Sequence, residues 1–315
     1  MAGSAAALVE AARRGERVAL ARLLSVVEAG GDDARVALSG LPVTVADDAW
    51  TVGVTGAPGA GKSTLTDQLI SHLRAAGERV AVLAVDPSSP FTGGAILGDR
   101  VRMQRHATDP DVFIRSMATR GHLGGLARAT PQAARVLAAA GYRWILIETV
   151  GVGQVEVEIA DAADSTVVVV NPGWGDGVQA AKAGLLEIGD VFAVNKADRA
   201  GLAATVHDLR AMLELAGPRP WVPPVVETVA TEDRGVLDLL QALGDHRRYL
   251  IGSGRLAELR EQRIADEIRA LVLDRLTKQA DDFCSGPRFA TLVRQVADGA
   301  CDPYAAATVL SDGVD

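Results

Sequence analysis

The sequence predicts an α/β fold in three layers, with a mostly parallel central sheet between helices and helical extensions at both ends. Three observations carry that prediction. From Trp50 onward, short apolar, β-branched runs alternate with helical segments. A glycine-rich loop separates the first of these runs from a helix. Both ends of the chain show helical periodicity without strand signals.

Taken in order, Leu8, Val9, Val18, Leu20, Leu23, Leu24 and Val27 recur at helical spacing before Gly30-Gly31, which predicts an N-terminal helical arm over 1–45. The α/β domain is expected over 46–245, with strands at Thr51–Thr55, Val80–Val85, Val112–Ser116, Trp144–Ile147, Thr166–Val170, Val191–Val194 and Val225–Val229. In such a sheet, ligands sit at the carboxyl ends of the strands. A C-terminal helical extension is expected over 246–315, with an amphipathic, charge-alternating helix at Leu256–Leu276 and another at Arg288–Val296. These helices either cover the sheet's own edge or build a dimer interface.

With 315 residues, 48% of them hydrophobic, the chain can bury a large core. It carries 32 basic against 40 acidic residues, a net charge of -8, and no basic stretch that would track a nucleic-acid backbone, so nucleic acid is not an expected partner. Cys284 and Cys301 have no CxxC spacing and no neighbouring histidines, which argues against a disulfide framework or a metal cluster and for a reducing cytoplasm. No apolar stretch approaches the roughly 18 residues that span a bilayer, so no membrane association is expected. Three of the four lysines (Lys62, Lys182, Lys196 and Lys278) fall in the motifs below.

Gly56-Ala57-Pro58-Gly59-Ala60-Gly61-Lys62-Ser63 matches G-x-x-x-x-G-K-[ST] in full, between a strand and a helix as the motif requires. Its glycines let the backbone wrap a β-phosphate, and the amides from Gly56 to Thr64 donate to phosphate oxygens. Lys62 would neutralise β/γ charge and Ser63 would ligate magnesium. The fold class is therefore that of a P-loop nucleoside triphosphatase. Asp86 ends the next strand, where its carboxylate would face the nucleotide; a turn aspartate is the alternative. Phe91–Met103 is a segment that could close over the γ-phosphate, with Asp99 reaching the metal shell or simply capping a helix.

Glu148-Thr149-Val150-Gly151 follows Ile145-Leu146-Ile147, with glutamate where most guanine-nucleotide hydrolases carry the aspartate of D-x-x-G. The Gly151 amide would sense the γ-phosphate, and Gln154 could orient the attacking water or be an ordinary loop residue. Asn195-Lys196-Ala197-Asp198 matches N-K-x-D at a strand end. Asp198 there would accept paired hydrogen bonds from guanine that adenine cannot offer. Val229-Ala230-Thr231 stands where such proteins usually carry Ser-Ala-x, with the Ala230 amide aimed at guanine O6.

Together these residues resemble the MeaB-type GTPases of the G3E family, which include the human methylmalonic aciduria type A protein. The resemblance covers nearly the whole chain. It is carried by Thr55–Thr64, Asp86-Pro87-Ser88-Ser89-Pro90, Gly98–Met103, Glu148–Gln154, Asn171-Pro172-Gly173 and Asp302-Pro303-Tyr304. The resemblance implies GTP/GDP and Mg2+ as cofactors, with Ser63, Asp86, Asp99 and Glu148 in the magnesium environment. It also implies a homodimer, and a cobalamin-dependent acyl-CoA mutase as partner, whose adenosylcobalamin loading or protection is gated by GTP. Lys62, Glu148, Gln154, Arg102 and Lys182 are the expected catalytic and switch residues. A third switch falls at Asn171–Lys182, where Trp174 and Gly177 depart from the family pattern around Asp176. Competing readings are a nickel metallochaperone, for which His106 and His122 are the only candidate ligands near the switches, a kinase of a transport protein, and a nucleotide-binding scaffold without turnover.

Overall fold

The computed structural model describes residues 2–42, 48–87, 103–119, 125–149, 155–173, 179–215, 217 and 219–311. Three helices, α1 (Ala2–Arg13), α2 (Arg17–Ala29) and α3 (Gly31–Ser39), precede the sheet. Strands and helices then alternate: β1 (Trp50–Gly56), α4 (Lys62–Ala75), β2 (Val80–Pro87), β3 (Val112–Thr119), α5 (Gly125–Ala139), β4 (Trp144–Thr149) and α6 (Val155–Ala162). The alternation continues through β5 (Ser165–Val170), α7 (Gln179–Ile188), β6 (Val191–Asn195), α8 (Leu202–Leu215), β7 (Val225–Thr228) and α9 (Val236–Gly252). The chain ends in α10 (Arg255–Phe283), α11 (Gly286–Ala297) and α12 (Pro303–Ser311).

All seven expected strands form, most of them a residue or more longer than their apolar runs. They make one sheet in the order β3-β2-β4-β1-β5-β6-β7, and every described pairing is parallel. The continuous Val/Ile/Leu content of β1, β4, β5 and β6 follows from burial on both faces, as a parallel sheet between helix layers requires.

Side chains alternate across the sheet into separate cores. One face joins Ala81, Leu83 and Val85 of β2 to Ile145 and Ile147 of β4, under α5 and the N-terminal helices through Val9, Leu20, Leu23, Leu24 and Val27. The opposite face sets Val52 and Val54 of β1 and Val167 and Val169 of β5 against Leu65, Leu69 and Ile70 of α4 and Leu239 and Leu243 of α9. A third cluster packs Val168, Val170, Phe192 and Val194 against Leu185 of α7 and Leu209 of α8. Val18, although in step with the apolar residues of α2, is 68% exposed.

The chain divides into two compact units, 1–263 and 264–315, and the division falls within α10. That helix runs seven residues beyond the apolar period that announced it, because Lys278, Gln279 and Ala280 are good helix formers and nothing breaks it before Cys284-Ser285-Gly286. Ser285 is the N-cap of α11 and Pro287 stands in its first turn. Within the second unit Arg288 donates to the Val309 carbonyl at 2.7 Å.

Candidate nucleotide site

β1 delivers the chain to the middle of the sheet's carboxyl edge, between β4 and β5, and the loop from Gly56 to Gly61 turns it into α4. Two glycines make that turn possible. Gly56 has φ 133°, and a Cβ there would collide with the Val169 carbonyl of β5. Gly61 has φ 94°, and a Cβ there would occupy the space of the Asn195 amide. Lys62 opens α4, is 6% exposed, and donates from Nζ to the carbonyls of Gly56 at 2.6 Å and Ala57 at 3.1 Å. The ammonium is thus held over the loop's own backbone, where a bound β/γ-phosphate would compete for it. Ala60 is fully buried, Gly59 is exposed, and Thr64 is exposed on the first turn of α4.

Ser63, 6% exposed, donates its hydroxyl to Oε1 of Glu148 at 2.5 Å. Glu148 is 3% exposed in β4, in register with Val54 of β1 and Ala84 of β2. A hydroxyl and a carboxylate converging in so buried a place form a hard oxygen donor set, which suits Mg2+ and would suit a thiophilic metal poorly. The backbone places Asp86 at the end of β2 beside Ala118 of β3, on the same edge. The side chains of Asp86 and of Lys182, which lies in α7, are outside the described residues, as are Asp99, Arg102, Gly151, Gln154, His122, Trp174 and Asp176.

The N-K-x-D segment braces the phosphate loop. Asn195, 2% exposed at the end of β6, donates from Nδ2 to the Ala60 carbonyl at 2.8 Å. Its Oδ1 accepts from Thr228 Oγ1 at 3.2 Å and from the Ala230 amide at 3.1 Å. Lys196 sits at φ 59° and reaches back to the Gly59 carbonyl at 2.5 Å. Asn195 therefore ties the phosphate loop to the β7 loop, Lys196 ties it to the end of β6, and Asp198 is left exposed beside them. Val229 and Ala230 are buried and Thr231 is exposed. The Ala230 amide, expected to face guanine O6, donates here to Asn195, while Val229 joins Arg234 in an antiparallel bridge that needs only its backbone. The bracing by Asn195 was not legible from the motif; the glycine at position 61, which makes room for the amide, was its one sequence signal.

Among the described residues no three His, Cys, Asp or Glu side chains group as a metal cluster. His106 is 8% exposed and engaged with Asp67 at 3.1 Å.

An all-parallel sheet whose central strand feeds a glycine-rich loop, with lysine and serine opening the next helix opposite a strand-end carboxylate, defines a P-loop nucleotide hydrolase. Comparison with known proteins narrows the class. Residues 6–283 match the family model described as "Methylmalonyl Co-A mutase-associated GTPase MeaB". A Pyrococcus abyssi protein named provisionally as a GTPase is 49% identical over 308 residues, covering 96% of this chain and 94% of that one. The mouse (Mus musculus) mitochondrial methylmalonic aciduria type A homolog is 32% identical over 314 residues, 96% of this chain and 73% of it. A solved structure titled as a LAO/AO transport system kinase superposes with a TM-score of 0.72 at 27% identity, covering 99% of this chain and 98% of that one. The chain belongs to the MeaB family of GTPases.

Proposed function

We propose that this protein binds GTP with Mg2+ at the carboxyl edge of its sheet and uses hydrolysis as a switch that gates a cobalamin-dependent acyl-CoA mutase. The observation that carries the nucleotide half is the buried Ser63–Glu148 contact beside the Lys62 ammonium. The mutase half rests on the family's description alone. In this reading Lys62 and the amides of Gly59, Ala60, Gly61, Ser63 and Thr64 hold the β- and γ-phosphates, so that developing charge meets preorganised donors. Ser63 and Glu148, with Asp86 and Asp99, would hold the metal, which supplies charge neutralisation at the phosphates when bound. Asn195 and Lys196 fix the relation of base loop to phosphate loop, and Asp198 reads guanine. Gly151, Gln154, Arg102 and Lys182 are assigned to the switches that respond to the γ-phosphate and to the partner.

A homodimer through the C-terminal helices belongs to the same proposal. Ile268, Leu271, Val272, Leu273 and Leu276 of α10 are each 46% exposed or more, and a row of this kind calls for a partner surface. No described helix is long and apolar enough to cross a membrane, and a cytoplasmic location is proposed.

The test is GTP turnover by the purified protein, with ATP as control, alone and with a cobalamin-dependent acyl-CoA mutase. Stimulation of GTP turnover by the mutase is the expected result. Turnover that prefers GTP but ignores the mutase would remove the partner and keep the GTPase; equal use of ATP would overturn the role given to Asp198 and favour a kinase.

A further inference from the structure

The geometry points to a docking groove for an extended acidic segment of a partner protein along the open edge of the sheet at β3, beside α2. The inference is independent of the nucleotide site.

Among the described residues β3 is an edge strand, paired only with β2. The Val80 amide donates to the Asp111 carbonyl, which sets the backbone of the odd-numbered residues toward β2 and that of Val112, Ile114 and Ser116 outward. At Val112 the outward groups are satisfied: its amide bonds the Asp109 carbonyl, and its carbonyl accepts from Arg17 at 2.8 Å. Among the described residues nothing caps the outward amides and carbonyls of Ile114 and Ser116. Arg17 thus closes one end of the row and leaves the next two outward positions open to another strand.

Beside this row lies a groove of about 390 Å³ with α2 as its far wall. On the α2 side its surface is apolar at Val18, Ala21 and Phe113 and basic at Arg17, Arg22 and Arg115, while the Ile114 side chain packs on the opposite face of the sheet. The arginines differ in how they are compensated. Arg115 is paired with Glu28 at 2.8 Å. Arg17 spends its guanidinium on the carbonyls of Asp109, Pro110 and Val112, which carry no net charge, and Arg22 makes no ion pair among the described residues. Two positive charges therefore border an open strand edge in a chain whose net charge is -8.

Charge decides the occupant. Basic residues on an edge guard it against pairing with a second copy, since like charges would face each other. Guarding alone does not require the exposed Val18 and the apolar strip beside it, which leave a side-chain surface next to the free backbone. Strand addition uses both, with backbone bonds for affinity and alternate side chains for selection. In a segment alternating β-branched and acidic residues, the acidic side chains fall on the α2 side toward the arginines and the β-branched ones on the opposite face beside Ile114, while its backbone meets the open row.

The test uses the full-length protein and a fluorescein-labelled peptide alternating valine and glutamate, followed by anisotropy and by hydrogen exchange. Saturable binding with protection of the Ile114 and Ser116 amides is expected. Arg22→Glu should weaken it by about tenfold or more, while a peptide with lysine in place of glutamate should gain affinity for that variant. GTP turnover of the variant should match the parent. No saturable binding would overturn the proposal. So would equal binding by a proline-interrupted peptide, equal binding to Arg22→Glu, or association with phosphatidylserine vesicles in place of the peptide. Self-association of Arg22→Glu without peptide binding by the parent would reduce the arginines to edge guards.

Discussion

At the opposite end of the sheet from the nucleotide loop, a chain of polar groups buried except at Asp190, whose side chain is 32% exposed, governs a pH dependence of stability. Ser165, fully buried at the start of β5, accepts from Trp50 Nε1 at 3.1 Å and bonds His246 Nδ1 of α9 at 2.8 Å. His246 Nε2 lies 3.4 Å from Asp190 Oδ1, whose Oδ2 accepts from the Thr166 amide at 2.8 Å. Trp221 packs on the imidazole and donates to the Asp190 carbonyl at 2.8 Å. Burial pushes the Asp190 carboxyl up to about 7 from 3.8, against the Thr166 amide and the Arg263 charge, which lower it. Burial pushes His246 down to about 4 from 6.5, against the Asp164 charge, which raises it. Both groups are thus neutral when folded and charged when unfolded across the interval between pH 4 and 6.5.

The signs are opposite. On unfolding in that interval His246 takes up a proton, so its contribution is lost as pH falls toward 4. Asp190 releases one, so its contribution is lost as pH rises toward 7. The pair cancels, and stability is flat with respect to these two groups. Asp190→Asn removes one side of the balance. Relative to the parent, its stability should climb with pH by about 1.4 kcal/mol per unit, one net proton, to a total of at most about 4 kcal/mol across the aspartate's window between pH 3.8 and 7. His246→Gln should slope the other way. Urea unfolding at several pH values, read as the difference between variant and parent, removes titrations common to both. Parallel profiles for parent and Asp190→Asn would refute the reasoning, because Asp190 would then be ionised in the fold.

The remaining predictions concern the nucleotide site and its supports. Lys62→Ala should lower GTP turnover by about 10²–10³-fold while leaving the circular dichroism spectrum intact, since it removes a preorganised charge. Asp198→Asn should cut the preference for GTP over ATP by about a hundredfold or more in competition binding, and an unchanged preference would place guanine recognition elsewhere. Asn195→Ala should cost on the order of 3 kcal/mol in denaturant unfolding and weaken nucleotide binding, because it strands the buried Ala60 carbonyl and Ala230 amide. Arg263 lies 2.7 Å from Asp164, which is 2% exposed and also accepts from the Thr51 amide. Arg263→Ala should therefore cost about 3 kcal/mol in the same assay, since the carboxylate stays buried with only the more distant Arg260 at 3.7 Å.

Which features were legible in the sequence depended on whether their cause was local. The strands announced themselves because burial on both faces demands runs such as Thr166-Val167-Val168-Val169-Val170, and a residue's neighbours suffice to show that. The order in which the strands lie depends on crossovers and had no such signal. The polar chain through Ser165, His246 and Asp190 was invisible for the same reason, since Ser165 and His246 stand 81 residues apart in the chain. Val18 misled in the other direction: it keeps the helical period of α2 but falls where the helix overhangs the edge strand, so the period marked it as core and the fold left it exposed.

The nucleotide site shows the same division within a few residues. Read singly, the glycine loop and N-K-x-D are a phosphate device and a base device. In the fold, Asn195 and Lys196 hold the carbonyls of Ala60 and Gly59, while Asn195 also receives Thr228 and Ala230. A shift of the β7 loop on contact with a base would strain the buried Asn195 amide that also holds the phosphate loop. An asparagine that accepts two bonds and donates one cannot follow such a shift without loosening at least one of them. On the proposed assignment, Asn195 couples base recognition to phosphate positioning, and Asn195→Ala should weaken GTP and GDP alike, whereas Asp198→Asn should change only which base is chosen.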